Sequence, residues 1–133
     1  MKYYLIDDCT TKRSAEWTEN ISADSFIDAM EIAANKWASM SEHDKHDRDA
    51  FIIMSVDEDG ANAIESGESS PYDYTYLNKW FDLTRQHHVR TEYFDYWGAA
   101  VDEEWDVPAL EIVRLARGWN MTAEEILEQI DED

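Results

Sequence analysis

Phe26, Met30, Ala33, Trp37 and Met40 recur every three to four residues, the spacing of one helical face. The pattern predicts a helix over residues 22–41, with Asp24 as its N-cap and Asp28 and Glu31 placed in its first half to complement the helix dipole. A stripe of Met and Trp on a helix of this length is core, and it must be buried against another element. That requirement constrains the fold more than any other feature of the chain.

Short β-type runs supply the surface to cover it. Residues 2–6 are apolar and end at Asp7-Asp8, so they read as a first strand. Residues 9–14 form a polar turn. Residues 15–21 alternate Trp17, Glu19 and Ile21 with Glu16, Thr18 and Asn20, as expected of a strand pairing with the first in a hairpin. Residues 50–56 are apolar and rich in β-branched side chains, which predicts a buried strand. Residues 72–83 alternate aromatic and polar residues and should include another. Asp57-Glu58-Asp59-Gly60 is expected to form a hairpin turn on the strength of its Asp-Gly pair, followed by a loop over residues 61–70. Residues 42–49 read as a charged connection.

Towards the C-terminus the pattern returns to helix. Asp106 is expected to cap a helix from Val107 to Arg117, with Pro108 in its first turn and Ala109, Ile112, Val113 and Ala116 as its apolar face. Gly118 suits the left-handed position after it. Thr122 with Glu125 forms a capping box for a second helix, and Met121 with Ile126 fits a hydrophobic staple. The expected fold is therefore α+β: a small antiparallel sheet packed by one long helix, with a C-terminal helical hairpin. Residues 1–84 form an α/β region. Residues 85–90, holding Arg85, His87, His88 and Arg90, read as a basic connector. Residues 91–133 hold an acidic aromatic segment and the hairpin, and the whole is expected to pack as one compact unit.

Charge limits the function classes. The chain has 31 acidic and 11 basic residues, a net charge of −20, which repels nucleic acids and anionic membranes. With 44% hydrophobic residues it still has the material for a core, so the charge does not signal disorder. Cys9 is alone, which leaves no disulfide framework and no CxxC motif. No apolar run reaches membrane-spanning length and the start lacks an apolar leader segment, so a cytoplasmic location is expected. No GxSxG, HExxH or phosphate-binding glycine loop is present, and the expectation is a non-enzymatic protein.

Residues 91–109 concentrate the unusual chemistry, with five aromatics and six carboxylates and no Lys or Arg. Asp102, Glu103, Glu104 and Asp106 surround Trp105, an arrangement suited to an apolar anchor inside an acidic rim. With Asp57, Glu58 and Asp59 they are the candidate partner-binding residues. The partner is expected to be a basic protein, because carboxylates on a folded surface can occupy Arg forks that otherwise grip DNA. The alternative is that Trp97 and Trp105 are core and the acids only solvate the domain. A helix-turn-helix reading of the hairpin fails on charge, since AEEILEQIDED would face phosphates with no cation to offset it. Asp57, Asp59 and Glu68 fall at positions 1, 3 and 12 of a calcium loop, but Ala61 and Asn62 stand where a ligand and a glycine are needed. His43, His46 and Asp47 would share a face if residues 42–49 were helical. Joined by His87 or His88 they could complete a zinc site, against the alternative of four solvated histidines.

The stretch YYLIDDCTTKRSAEWTENISADSFIDAMEIA, residues 3–33, resembles the opening of small acidic proteins of phages and mobile elements of Gram-positive bacteria. Size, acidity and aromatic content are similar to anti-CRISPR proteins that inhibit Cas9. The resemblance implies a role and no particular fold: an inhibitor in the bacterial host cytoplasm that binds a basic nucleic-acid-binding surface of a Cas nuclease, reducing DNA binding or cleavage. A zinc-binding regulatory protein, and an antitoxin or adaptor neutralising another basic protein, remain as alternatives.

Overall fold

The computed structural model describes residues 2–8, 17–48, 50–69, 79–90 and 104–129; at 8, 17, 18, 88–90, 104–106 and 128–129 only the backbone is described. The chain divides into two compact units, Met1–Thr84 and Arg85–Asp133.

The first unit is a four-stranded antiparallel sheet with helices on both faces. Its strands are β1 (Lys2–Asp8), β2 (Trp17–Ile21), β3 (Ala50–Val56) and β4 (Trp80–Asp82), in the order β2-β1-β3-β4. The β1–β2 hairpin expected from the alternation is present, with Tyr3 opposite Ile21 and Asp7 opposite Trp17. β3 lies between β1 and β4, which explains why it reads as a continuous apolar run: Phe51, Ile53, Met54 and Val56 are all buried.

Alternation divides these side chains between two cores. Tyr3, Leu5 and Asp7 share a face with Ser55, Ile53 and Phe51. The long helix α1 (Phe26–Ser39) covers that face through Phe26, Ile27, Ala29, Met30, Ala33 and Ala34. Phe26 stacks on Tyr3 at 6.0 Å between ring centroids, and Trp37 meets Phe51 at 5.3 Å. The predicted stripe is therefore core. Its cap is Ser25, one residue later than expected: the Ser25 hydroxyl accepts the Asp28 N–H at 3.3 Å. The other face buries Tyr4, Ile6, Met54 and Val56 against Ala61, with Ile52 and Ile64 packed alongside.

Ala61 and Ile64 belong to a helix that replaces the expected turn and loop. α3 (Glu58–Ser66) begins directly after β3, with Asp57 as its N-cap and Gly67, at φ 82°, ending it in the left-handed region. The Asp-Gly pair lies in the first helical turn because the Asp57 carboxylate takes the Gly60 N–H at 2.7 Å. Burial of Ala61 and Ile64 on the second sheet face then holds the turn that follows. The charged connection also contains helix: α2 (Glu42–His46) is capped by Ser41, whose hydroxyl accepts the Asp44 N–H at 3.1 Å.

The second unit contains a two-stranded antiparallel sheet and a helical hairpin. β5 (His87–Arg90) pairs with β6 (Glu104–Val107), so residues 87–90 are strand where a connector was expected. Asp106 consequently lies in a strand, with its backbone opposite His88, and does not cap the following helix. That helix, α4 (Ala109–Gly118), starts after Pro108, which takes the N-cap place without a side-chain hydrogen bond. Its predicted apolar face is buried: Ala109, Ile112, Val113 and Ala116 are core, joined by Leu115. The left-handed residue after it is Asn120, at φ 55°, and not Gly118. Met121 N–H reaches Ala116 O at 2.9 Å and Asn120 N–H reaches Arg117 O at 3.3 Å, the paired bonds of a Schellman ending. α5 (Ala123–Gln129) follows at once. Its capping box is formed as expected: Thr122 Oγ1 accepts the Glu125 N–H at 3.2 Å, and Glu125 Oε1 accepts the Thr122 N–H at 3.1 Å.

Candidate functional site

The acids of the α3 N-terminus are the candidate residues whose surroundings are described most fully. Asp57, Glu58 and Asp59 are all exposed. Each also has a local role. Asp57 caps the helix, and Glu58 and Asp59 lie in its first turn, where the helix dipole favours negative charge. Further along α3, Glu65 is engaged by the sheet: Lys2 Nζ donates to Glu65 Oε1 at 2.8 Å and Tyr4 Oη donates to the same oxygen at 2.6 Å. The Lys2 and Tyr4 hydrogen bonds hold the Glu65 carboxyl below its ordinary value, while burial and then the Glu65 contact push the Tyr4 phenol up to about 12. No comparable partner is found for the Glu58 and Asp59 side chains among the described residues. The first turn of α3 thus presents negative charge that no cation among the described residues neutralises.

One aromatic side chain of this unit is partly exposed. In β4, Phe81 is buried but Trp80 is 45% exposed. Trp80 is registered opposite Met54, so it shares the sheet face that α3 covers. The Trp80-Phe81-Asp82 alternation was visible in the sequence. What it did not convey was that β4 ends the order of the described strands and that Trp80 is 45% exposed.

The second group of candidates falls elsewhere. Asp102 and Glu103 lie outside the described residues, as does Trp97. Glu104, Trp105 and Asp106 are in β6, opposite Arg90, Val89 and His88, and only their backbone is described. Asp57, Glu58 and Asp59 belong to the first unit and Glu104, Trp105 and Asp106 to the second.

The histidines that could have bound zinc are placed as follows. His43 and Asp47 do share a helical face, with His43 Nε2 3.6 Å from Asp47 Oδ2, and both His43 and His46 are exposed. His87 is buried, in the second unit. Among the described residues, no group of three or more His, Cys, Asp or Glu side chains comes together to hold a metal. The calcium-loop spacing is absorbed by α3, where Asp57 spends an oxygen on the Gly60 N–H.

Nearby charge is otherwise structural. Arg48 Nε lies 3.0 Å from Asp7 Oδ1, and Asp7 is 1% exposed. Lys36 bonds both oxygens of Glu19 at 2.9 and 3.0 Å, tying α1 to β2. Lys45 sits 5.5 Å from the Trp37 ring centroid. No helix among the described residues is long and apolar enough to cross a membrane. Comparison of the chain with protein-family models, curated proteins and solved structures finds no match.

Proposed function

We propose that this chain is a non-enzymatic inhibitor that binds a basic nucleic-acid-binding surface of another protein. The narrowest form of the proposal, taken from the resemblance of residues 3–33, is an anti-CRISPR role against a Cas nuclease of the Cas9 type in the bacterial cytoplasm. The observation that carries it is the excess of negative charge, −20, together with exposed carboxylates at Asp57, Glu58 and Asp59 that no cation among the described residues offsets. Net charge of this size costs stability through self-repulsion, and a strongly basic partner would relieve it on binding. Asp102, Glu103, Glu104, Trp105 and Asp106 belong to the same proposal as a second acidic segment.

Cas nucleases suit such a partner because they hold their heteroduplex in a positively charged channel and read a short DNA motif with arginines. Carboxylates placed there would compete with phosphates for the same guanidinium forks. The test is capture of a panel of guide-loaded Cas nucleases by the purified chain, followed by DNA cleavage with and without it. Capture of a nuclease together with loss of cleavage supports the anti-CRISPR form. Binding to a basic protein of another kind leaves the general reading and removes that form. Failure to bind any basic nucleic-acid-binding protein removes both.

A further inference from the structure

We infer that the Asp59–Gly60 peptide is a latent site of backbone isomerisation to isoaspartate, and that the Asp57 cap of α3 holds it unreactive. The inference goes beyond the proposed function and does not depend on it.

The chemistry begins in the sequence, where Asp-Gly occurs once, at Asp59-Gly60. Glycine has no Cβ to shield its backbone nitrogen or to restrict the conformations that reach a neighbouring carbonyl. The Gly60 nitrogen attacks Cγ of the Asp59 carboxyl in its acid form. An N–C bond forms, the N–H proton and the carboxyl OH leave as water, and a five-membered imide results. Water then adds back and breaks one of the two ring C–N bonds. Opening at the side-chain carbonyl restores aspartate. Opening at the main-chain carbonyl leaves the chain running through the Asp59 β-carbon, with the α-carboxyl free. The water lost is regained, and the proton taken up by the carboxyl is released again, so mass and the net charge of −20 do not change.

The structure leaves one reactant open and restrains the other. The Asp59 side chain is exposed, whereas Gly60 is buried. The Gly60 N–H donates to Asp57 Oδ1 at 2.7 Å. The Ala61 N–H donates to Asp57 O at 2.9 Å, closing the first helical ring around residues 58–60. Attack on Cγ requires the Asp59–Gly60 peptide plane to turn about the Asp59 Cα–C bond, away from the helical ψ near about −42°. That bond lies inside both hydrogen-bonded rings, so the turn breaks both. Ala61 resists it further, because it is packed against Tyr4, Ile6, Met54 and Val56. A carboxylate on the Gly60 N–H also opposes loss of the proton on which attack depends. Isomerisation would put one more carbon into the backbone of this turn and shift the carboxylate at position 59, undoing the start of α3.

The test is prolonged incubation of the full chain at neutral pH, followed by digestion and separation of the aspartyl and isoaspartyl forms of the peptide containing residue 59. The folded protein should isomerise far more slowly than the same chain held unfolded in guanidinium chloride. Asp57→Ala should raise the rate in the folded state about fivefold, the factor that corresponds to a cap of about 1 kcal/mol. Asp57→Asn, which keeps an acceptor for the Gly60 N–H, should stay below the Ala variant. Gly67→Ala, which disturbs the other end of α3, should leave the rate close to that of the unaltered chain. Circular dichroism confirms that each variant is folded. Equal rates in the folded and unfolded chain overturn the inference. So does a folded Asp57→Ala variant that reacts no faster than the unaltered protein, an Asn variant as fast as the Ala variant, or a Gly67→Ala variant as fast as Asp57→Ala.

Discussion

Asp7 is 1% exposed, and Arg48 meets it from the end of α2 while also donating to Asp44 O at 2.8 Å. A buried carboxylate that loses its counter-charge is costly. Arg48→Ala should therefore destabilise the protein by about 3–5 kcal/mol, measured by urea denaturation. A loss below about 1 kcal/mol, the range of exposed pairs, would mean that the other contacts of Asp7 suffice. Tyr4, Glu65 and Lys2 give a second prediction, in pH. Glu65 has a lowered folded value, so its contribution is present above the usual carboxylate range and is lost as acid protonates it. Tyr4 has a folded value of about 12, above its ordinary 10.0, so the unfolded chain gives up that proton first. Stability should then fall as pH rises from 10 towards 12. Tyr4→Phe should flatten that decline, and a decline of unchanged steepness in the variant would assign it to other groups.

At the scale of elements, α3 depends on its two ends. Asp57→Ala removes the carboxylate that accepts the Gly60 N–H and should cost about 1 kcal/mol, whereas Asp57→Asn keeps an acceptor and should cost little. Gly67→Ala meets no neighbour within 4 Å, so any loss comes from the left-handed backbone at φ +82°, about 1–2 kcal/mol. Thermal denaturation of the three variants would separate these effects; equal losses for Ala and Asn at position 57 would contradict the capping role. The same helix shows where sequence reasoning stopped. Phe26, Met30, Ala33 and Trp37 made α1 legible because a long stripe repeats its own signal. Thr122 and Glu125 made the start of α5 legible because a capping box is local. α3 is only two turns long, and Asp-Gly serves a hairpin as readily as a first helical turn. What decided between them was the burial of Ala61 and Ile64 against Tyr4 and Met54, a long-range contact with no local trace. Asp106 illustrates the same limit, since its strand pairing with His88 depends on residues far away in the chain. Of the candidate site, the exposed acids at 57–59 were visible in sequence. The exposure of Trp80 was not, because it depends on which elements cover its face of the sheet.

For the whole molecule the governing quantity is the charge of −20. Exposed charges act over about 10 Å at 0.1 M ionic strength, so association with a basic partner should weaken steeply as salt is added. Asp57→Asn, Glu58→Gln and Asp59→Asn together keep the helix cap while removing three charges, and should slow association more than they speed dissociation. The most direct measurement is the affinity of the full chain for a guide-loaded Cas9-type nuclease across a salt series, for the unaltered protein and for this triple variant. Tight binding at low salt that falls steeply as salt rises, with a shallower slope in the variant, is the expected result. No binding, or binding that neither salt nor the three substitutions alters, would contradict the proposal that carboxylates of this chain occupy a basic nucleic-acid-binding surface.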